Sequence, residues 1–352
     1  MAEPLPLRQP LLQLPSWRWQ GLLLPLMGVA VLLACSQGAL QVGLQDWWAL
    51  LRGEPTPGAQ VLWQLRLPRV AFALCVGAAL GLAGALSQGL FRNGLAEPML
   101  LGIPSGAVCA VALTLTAFAQ GLGGLPAAWR PWVLPLAALG GAWALCALLQ
   151  AVARLLAPGA VLGLLLAGLA LNALAMAVVG VCTTLASDEQ LRTLSFWQLG
   201  SLAGATWPVV ALLASALGLM LWGAGRMAQG LNALALGEAV AAQIGMDVRR
   251  LRRRLVLAVA LLSGLAVAWC GLIGFIGLLA PHAARALVGA DQRRLQPLAA
   301  ALGALLLLLA DTAARVLFIP AELPVGIVTA LLGAPLLLVL LRRAQRELGG
   351  AW

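Results

Sequence analysis

The sequence contains no lysine, so all 22 of its basic residues are arginine. A phosphate-binding loop requires Gly-Lys-Ser/Thr, so no standard ATP-binding loop can form on this chain, and any nucleotide-driven work falls to another subunit. There is one histidine, His282, which excludes an HExxH zinc site, a histidine cluster and a Ser-His-Asp triad within one chain. Only 10% of the residues are charged, and paired carboxylates inside apolar runs, expected of many proton-coupled carriers, are not apparent. The six cysteines (Cys35, Cys75, Cys109, Cys146, Cys182 and Cys270) stand singly in apolar stretches with no CxxC pair. That pattern reads as small buried hydrophobes, with no zinc or disulfide framework. These absences argue against an enzyme.

What is present is apolar. Of 352 residues, 62% are hydrophobic, and the mean hydropathy is +0.96. A water-soluble domain of this size could not hide so much apolar surface, whereas lipid covers it. Forty glycines and twenty prolines are compatible with membrane helices, where small residues allow close packing. The pattern predicts ten spans: 20–39, 70–90, 98–119, 133–152, 162–183, 207–225, 255–271, 274–289, 297–313 and 325–342. No clear small-residue cleavage site follows Arg8 and Arg18, so the first run is expected to be an uncleaved span. With both termini in the cytoplasm, only Arg52, Arg66, Arg69, Arg130, Arg192 and Arg315 fall outside. The remaining arginines lie inside, as the positive-inside rule requires. The net charge of +10 is spread over short loops, so it does not read as a nucleic-acid surface.

The main polar interruption is 226–254. Within it, Leu236–Gly245 reads as a short helix with Glu238 in its first turn, suited to the helix dipole, and Gly245 ending it in a left-handed turn. Five arginines follow: Arg249, Arg250, Arg252, Arg253 and Arg254. The stretch fits either an ordinary basic loop anchoring the next span or a surface that receives a push from a soluble partner. Short surface helices are expected at Leu44–Arg52 and Asp188–Leu199. Gly271, Gly274 and Gly277 form a small-residue stripe at helical spacing, with a kink expected at Pro281. Asp311 and Arg315, four apart, can pair on one helical face, and a direct functional role for Asp311 stays open beside that reading.

Several stretches together resemble the FecCD/BtuC-type permeases of bacterial ABC importers for haem, ferric siderophores and cobalamin. They are RLPR at 66–69, GAALGLAGALSQGLFRNGLAEPMLLGIPSGA at 77–107, LLLAGLALNAL at 164–174 and FWQLGSLAGATW at 196–207. LALGEAVAAQIGMDV at 234–248, GLIGFIGLLAPHAAR at 271–285 and AELPVGIVTALLGAP at 321–335 follow in the family's order. The resemblance implies an all-α polytopic protein of about ten transmembrane helices, with a BtuC-like type II importer fold and one permease domain over 1–352. It implies a homodimer in the bacterial inner membrane, two cytoplasmic ATPase subunits and a periplasmic binding protein. ATP and Mg would sit on the ATPase, with no cofactor on this chain. Gly237, Glu238, Ala239, Ala242 and Gly245 would form the helix that couples to the ATPase. Arg66, Arg69 and Arg315 would dock the binding protein. Pro158, Gly159, Ala160, Val161 and Leu162 would form an inner gate before the path-lining fifth span, here without the hydroxyl residues of some relatives. Gly94 and Pro104 depart from the usual pattern. The function implied is passage of an iron chelate by alternating access, haem first among the substrates. The competing expectation is an ATP-independent secondary transporter using a carboxylate such as Asp311.

Overall fold

With water excluded, leucine- and alanine-rich runs satisfy their backbone groups only as helices. Among the described residues every regular element is helical. The computed structural model describes residues 16–38, 42–118, 124, 126–156, 161–318 and 321–347. In order the helices are α1 (Ser16–Ser36), α2 (Leu44–Arg52), α3 (Pro57–Val61), α4 (Leu67–Phe91) and α5 (Ile103–Thr116). They continue as α6 (Arg130–Leu156), α7 (Val161–Leu185), α8 (Asp188–Leu199), α9 (Trp207–Ala235) and α10 (Glu238–Gln243). The last four are α11 (Val248–Cys270), α12 (Ile276–Val288), α13 (Gln292–Val316) and α14 (Val325–Glu347). A π-helical turn, Leu62–Arg66, joins α3 to α4, and a 3₁₀ turn, Pro98–Leu101, leads into α5. Six of these stretches are long and apolar enough to cross a bilayer, and α1, α5, α12 and α14 supply four shorter apolar helices. Those ten coincide with the ten expected spans.

The core is built on α4, of whose apolar stretch 83% is buried, against 72% for α11 and 22% for α6 and α9. Lipid gives helices little hydrophobic reason to associate, so close backbone approach has to supply the packing energy. Gly77 faces the Gly303 carbonyl and Gly81 the Ala299 carbonyl, so α4 and α13 touch backbone to backbone. Any side chain there would strike main-chain atoms that cannot swing away. Gly106 and Gly141 join α5 to α6 in the same way. Phe72, Leu82, Leu86 and Leu262 fill the remaining interior with almost no exposure. On α7 the stripe Ala167, Leu171, Ala175, Val179 and Cys182 is buried, and Leu166, Leu169, Leu174 and Val181 face outward.

Two expectations are corrected. The interruption 226–254 is mostly helix: α9 runs on to Ala235, and α11 already begins at Val248. Nothing after Arg226 breaks the first helix, and Arg226 itself stacks over the Trp222 ring at 3.4 Å. Asp247 starts α11 as its N-cap, accepting a hydrogen bond from the Arg250 backbone N–H at 2.9 Å. The five arginines therefore project from the first turns of a span and not from a loop. The second correction concerns the glycine stripe. Gly271 (φ +69°) caps α11, and α12 begins only at Ile276, so Gly271 and Gly274 lie in a non-helical break and only Gly277 packs as a helical glycine.

Candidate functional site

At one end of the bundle, α10 lies between α9 and α11. Its start is set by Gly237, whose φ of +115° is a conformation L residues rarely adopt. Its end is a Schellman motif: Gly245 N–H donates to the Ala242 carbonyl at 3.0 Å, and Met246 N–H to the Ala241 carbonyl at 3.1 Å. Ala241 is its buried residue. Leu236, Val240 and Ile244, four apart, leave an apolar edge exposed. Glu238 sits in the first turn as expected, yet its carboxylate turns back to the body of the protein. It forms a close ion pair with Arg252 of α11 and lies 3.7 Å from Arg92 at the end of α4. Arginines in the first turns of α11 oppose the helix dipole, and Asp247 and Glu238 offset that cost.

Arg92 also ends α4 through a Schellman motif, with Asn93 N–H donating to the Gln88 carbonyl at 3.1 Å. Its φ is +51°, in the left-handed region that glycine normally fills, at a cost of about 1 kcal/mol for an L residue. Sequence reading gave neither Arg92 nor Arg252 a role. The left-handed arginine was recognisable only as a non-glycine where a helix must stop.

At the opposite end of α4, about 38 Å away for a 25-residue helix, the three arginines singled out for docking converge. Asp311, with no exposure, is the hub for two of them, Arg69 and Arg315. Arg69 donates to it from Nε (3.1 Å) and Nη2 (2.9 Å), and Arg315 donates from Nε at 3.1 Å. The Asp311–Arg315 pair foreseen from the sequence is thus present, but Arg69 shares it. Arg69 also holds the exposed Glu322 at 2.8 Å. Arg66 and Arg315 are only 7% and 6% exposed. They donate to carbonyls at and just past the end of α1: Arg66 to Cys35, and Arg315 to Ala34 (3.0 Å) and Gln37 (3.2 Å). Cations at a helix C-terminus satisfy orphan acceptors and suit the dipole.

Between the two ends, the backbone breaks at 271–275. Phe275 has φ +67°, and its N–H donates to Glu97 Oε1 at 2.8 Å, while its ring packs against Gly333 of α14. Nothing in the sequence around Glu97, within the 77–107 stretch, singles it out for this contact. Of the gate residues, Pro158, Gly159 and Ala160 lie outside the described residues, and Val161 and Leu162 are placed only as the opening backbone of α7. His282 is half-buried on α12.

The chain is similar to known proteins along nearly its whole length. It is 42% identical over 335 residues to the hemin transport system permease protein HmuU of Yersinia pestis, covering 94% of this chain and 97% of that protein. It is 42% identical over 327 residues to the vitamin B12 import system permease protein BtuC of Serratia proteamaculans, covering 92% and 93%. Among solved structures, a chain of a metal-chelate type ABC transporter in an inward-facing conformation superposes with a TM-score of 0.80 at 30% identity, covering 93% of this chain and 99% of that one. The profile of the FecCD transport family matches residues 26–343, and with these likenesses the chain belongs to the FecCD family of ABC-importer permeases.

Proposed function

We propose that this chain is the membrane subunit of an ATP-driven importer that carries haem from periplasm to cytoplasm by alternating access. The observation that carries the reading is the 42% identity, over nearly the full length, to a hemin permease. Two copies would enclose the path, each giving the outward apolar face of α7 beyond its buried stripe. Two cytoplasmic ATPase subunits, holding ATP and Mg, would rest on α10, where Gly237, Glu238, Ala239, Ala242 and Gly245 shape the helix and Leu236, Val240 and Ile244 offer an apolar seat. A periplasmic binding protein would present carboxylates to Arg66, Arg69 and Arg315. Arg69, already bonded to the exposed Glu322, is the one best placed to exchange partners. Residues 158–162 precede α7 where an inner gate would stand. The arginine distribution supports an inner-membrane location with both termini cytoplasmic.

A second reading, cobalamin or a ferric siderophore as the solute, is favoured by the equal 42% identity to a vitamin B12 permease and by the metal-chelate structural likeness. Reconstitution in proteoliposomes with its ATPase and binding protein separates these readings. Haem accumulation that requires ATP and exceeds that of cobalamin and ferric siderophore is expected. Preference for another solute would overturn the haem assignment, and ATP-independent uptake would overturn the importer reading.

A further inference from the structure

We propose that Arg92 and Arg252 form a two-armed clamp on Glu238 that makes α10 move as one body with α4 and α11. Glu238 is then a positioning residue for coupling and not itself the surface the ATPase grips. The inference rests on the reading of α10 as the ATPase-contacting helix.

Three observations carry it. First, α10 is jointed at both ends. Gly237 (φ +115°) and Gly245 (φ +82°) flank it, and a side chain added at either glycine would meet nothing within 4 Å. No side chain packs on the backbone at either joint, which is held there by main-chain hydrogen bonds alone. Second, little apolar contact holds the helix in place. Ala241 is its buried residue, and Val240, with the adjoining Leu236 and Ile244, faces outward. Charge must supply what packing does not.

Third, the charge comes from two different buried elements. Arg252 belongs to α11 and Arg92 ends α4, and these two helices have the most buried apolar stretches, at 72% and 83%. Arg92 adopts a left-handed backbone where glycine would be unstrained, and strain of that kind persists where a side chain is needed at that spot. Here the side chain reaches Glu238. A displacement of α10 would thus pass through one carboxylate into α4, the helix that carries Arg69 at its far end. The part-exposed geometry, with side-chain exposures of 19% for Arg252, 38% for Glu238 and 42% for Arg92, suits a tether that holds firmly while staying adjustable.

The test has two arms. Hydrogen exchange of the full chain in nanodiscs, without partners, reads the clamp alone. Arg252→Gln and Arg92→Gln are expected to raise exchange of the α10 amides about fivefold, the effect of losing one part-exposed ion pair, while α4 and α11 stay protected. The full swap Glu238→Arg/Arg92→Glu/Arg252→Glu, which keeps both pairs with their signs reversed, should restore protection. With the ATPase and binding protein added, the single variants should bind the ATPase as wild type does but move about fivefold less solute per ATP hydrolysed, and the swap should recover it. Unchanged exchange in the single variants would overturn the clamp. So would weakened ATPase binding with exchange unchanged, because the charges would then be touching the ATPase directly. Raised exchange with an unchanged transport ratio would overturn the clamp's part in coupling while leaving the importer reading intact. A wild-type chain that engages no ATPase would overturn that reading, and the exchange arm would still decide the clamp.

Discussion

Replacing Asp311 by asparagine keeps the side chain's shape and removes the one negative charge shared by Arg69 and Arg315. The carboxylate has no exposure, Arg315 is 6% exposed, and the Arg69 side chain 14%. Breaking a buried ion pair by neutralising one partner leaves an uncompensated charge and typically costs about 3–5 kcal/mol. Here the loss should fall at the lower end, about 3 kcal/mol, because Arg69 keeps Glu322 at 2.8 Å and Arg315 keeps the Ala34 and Gln37 carbonyls. Arg315→Met leaves Asp311 paired with Arg69 but strips two carbonyls at the end of α1 of their donor, for about 2 kcal/mol. The double variant should lose less than the two single losses together, because the stranded guanidinium is gone as well. Denaturant titration of the purified chain in mixed micelles, followed by tryptophan fluorescence, measures all three. If Asp311→Asn lies within about 1 kcal/mol of wild type, Asp311 is not the hub and the reasoning fails.

Gly303→Leu places a side chain against the Gly77 carbonyl and the Gly81 Cα, so it should cost about 3 kcal/mol or more and sharply reduce folded protein recovered from membranes. Gly140→Leu, where nothing lies within 4 Å, should be recovered like wild type by size-exclusion chromatography. Asp291, in the loop before α13, is held below the ordinary carboxylate range mainly by its hydrogen bond from Asn232, and the Arg293 and Arg294 charges add to this. A depressed folded value means its stabilisation is present above the ordinary aspartate value and is lost as pH falls through the lower folded one. Acid should therefore erode wild-type stability in that window more than it erodes Asp291→Asn. The difference should stay below about 1 kcal/mol because the site is largely exposed, and thermal melts from pH 6 downward would show it.

Local chemistry made much of this fold readable from the chain alone. The ten apolar runs follow from length and hydropathy, because a bilayer admits only helices with satisfied backbones. The bounds of α2 and α8 could be read because their ends are written in neighbouring residues. Gly53 turns left-handed at φ +71°, and Ser187 and Gln190 cap each other reciprocally. The same holds for Gly245 after α10, and for Asp311 and Arg315, which one helical turn brings together.

Only the tertiary structure decided which distant groups meet. Arg69 and Asp311 are 242 positions apart, and no periodicity announces that pairing. Gly77 and Gly303 look like any other glycines in low-complexity Ala/Leu/Gly sequence, yet they set the contact between α4 and α13. Gly271 and Gly274 carry the spacing of a packing stripe and instead lie in a break whose geometry is held by Glu97. The reason is physical. An apolar helix can present any of its faces to lipid, so a membrane sequence sets where helices are but leaves their rotation and partners to backbone fit and to the few charges that must find a counter-ion. In this chain those charges gather at the two ends of α4, around Asp311 and around Glu238.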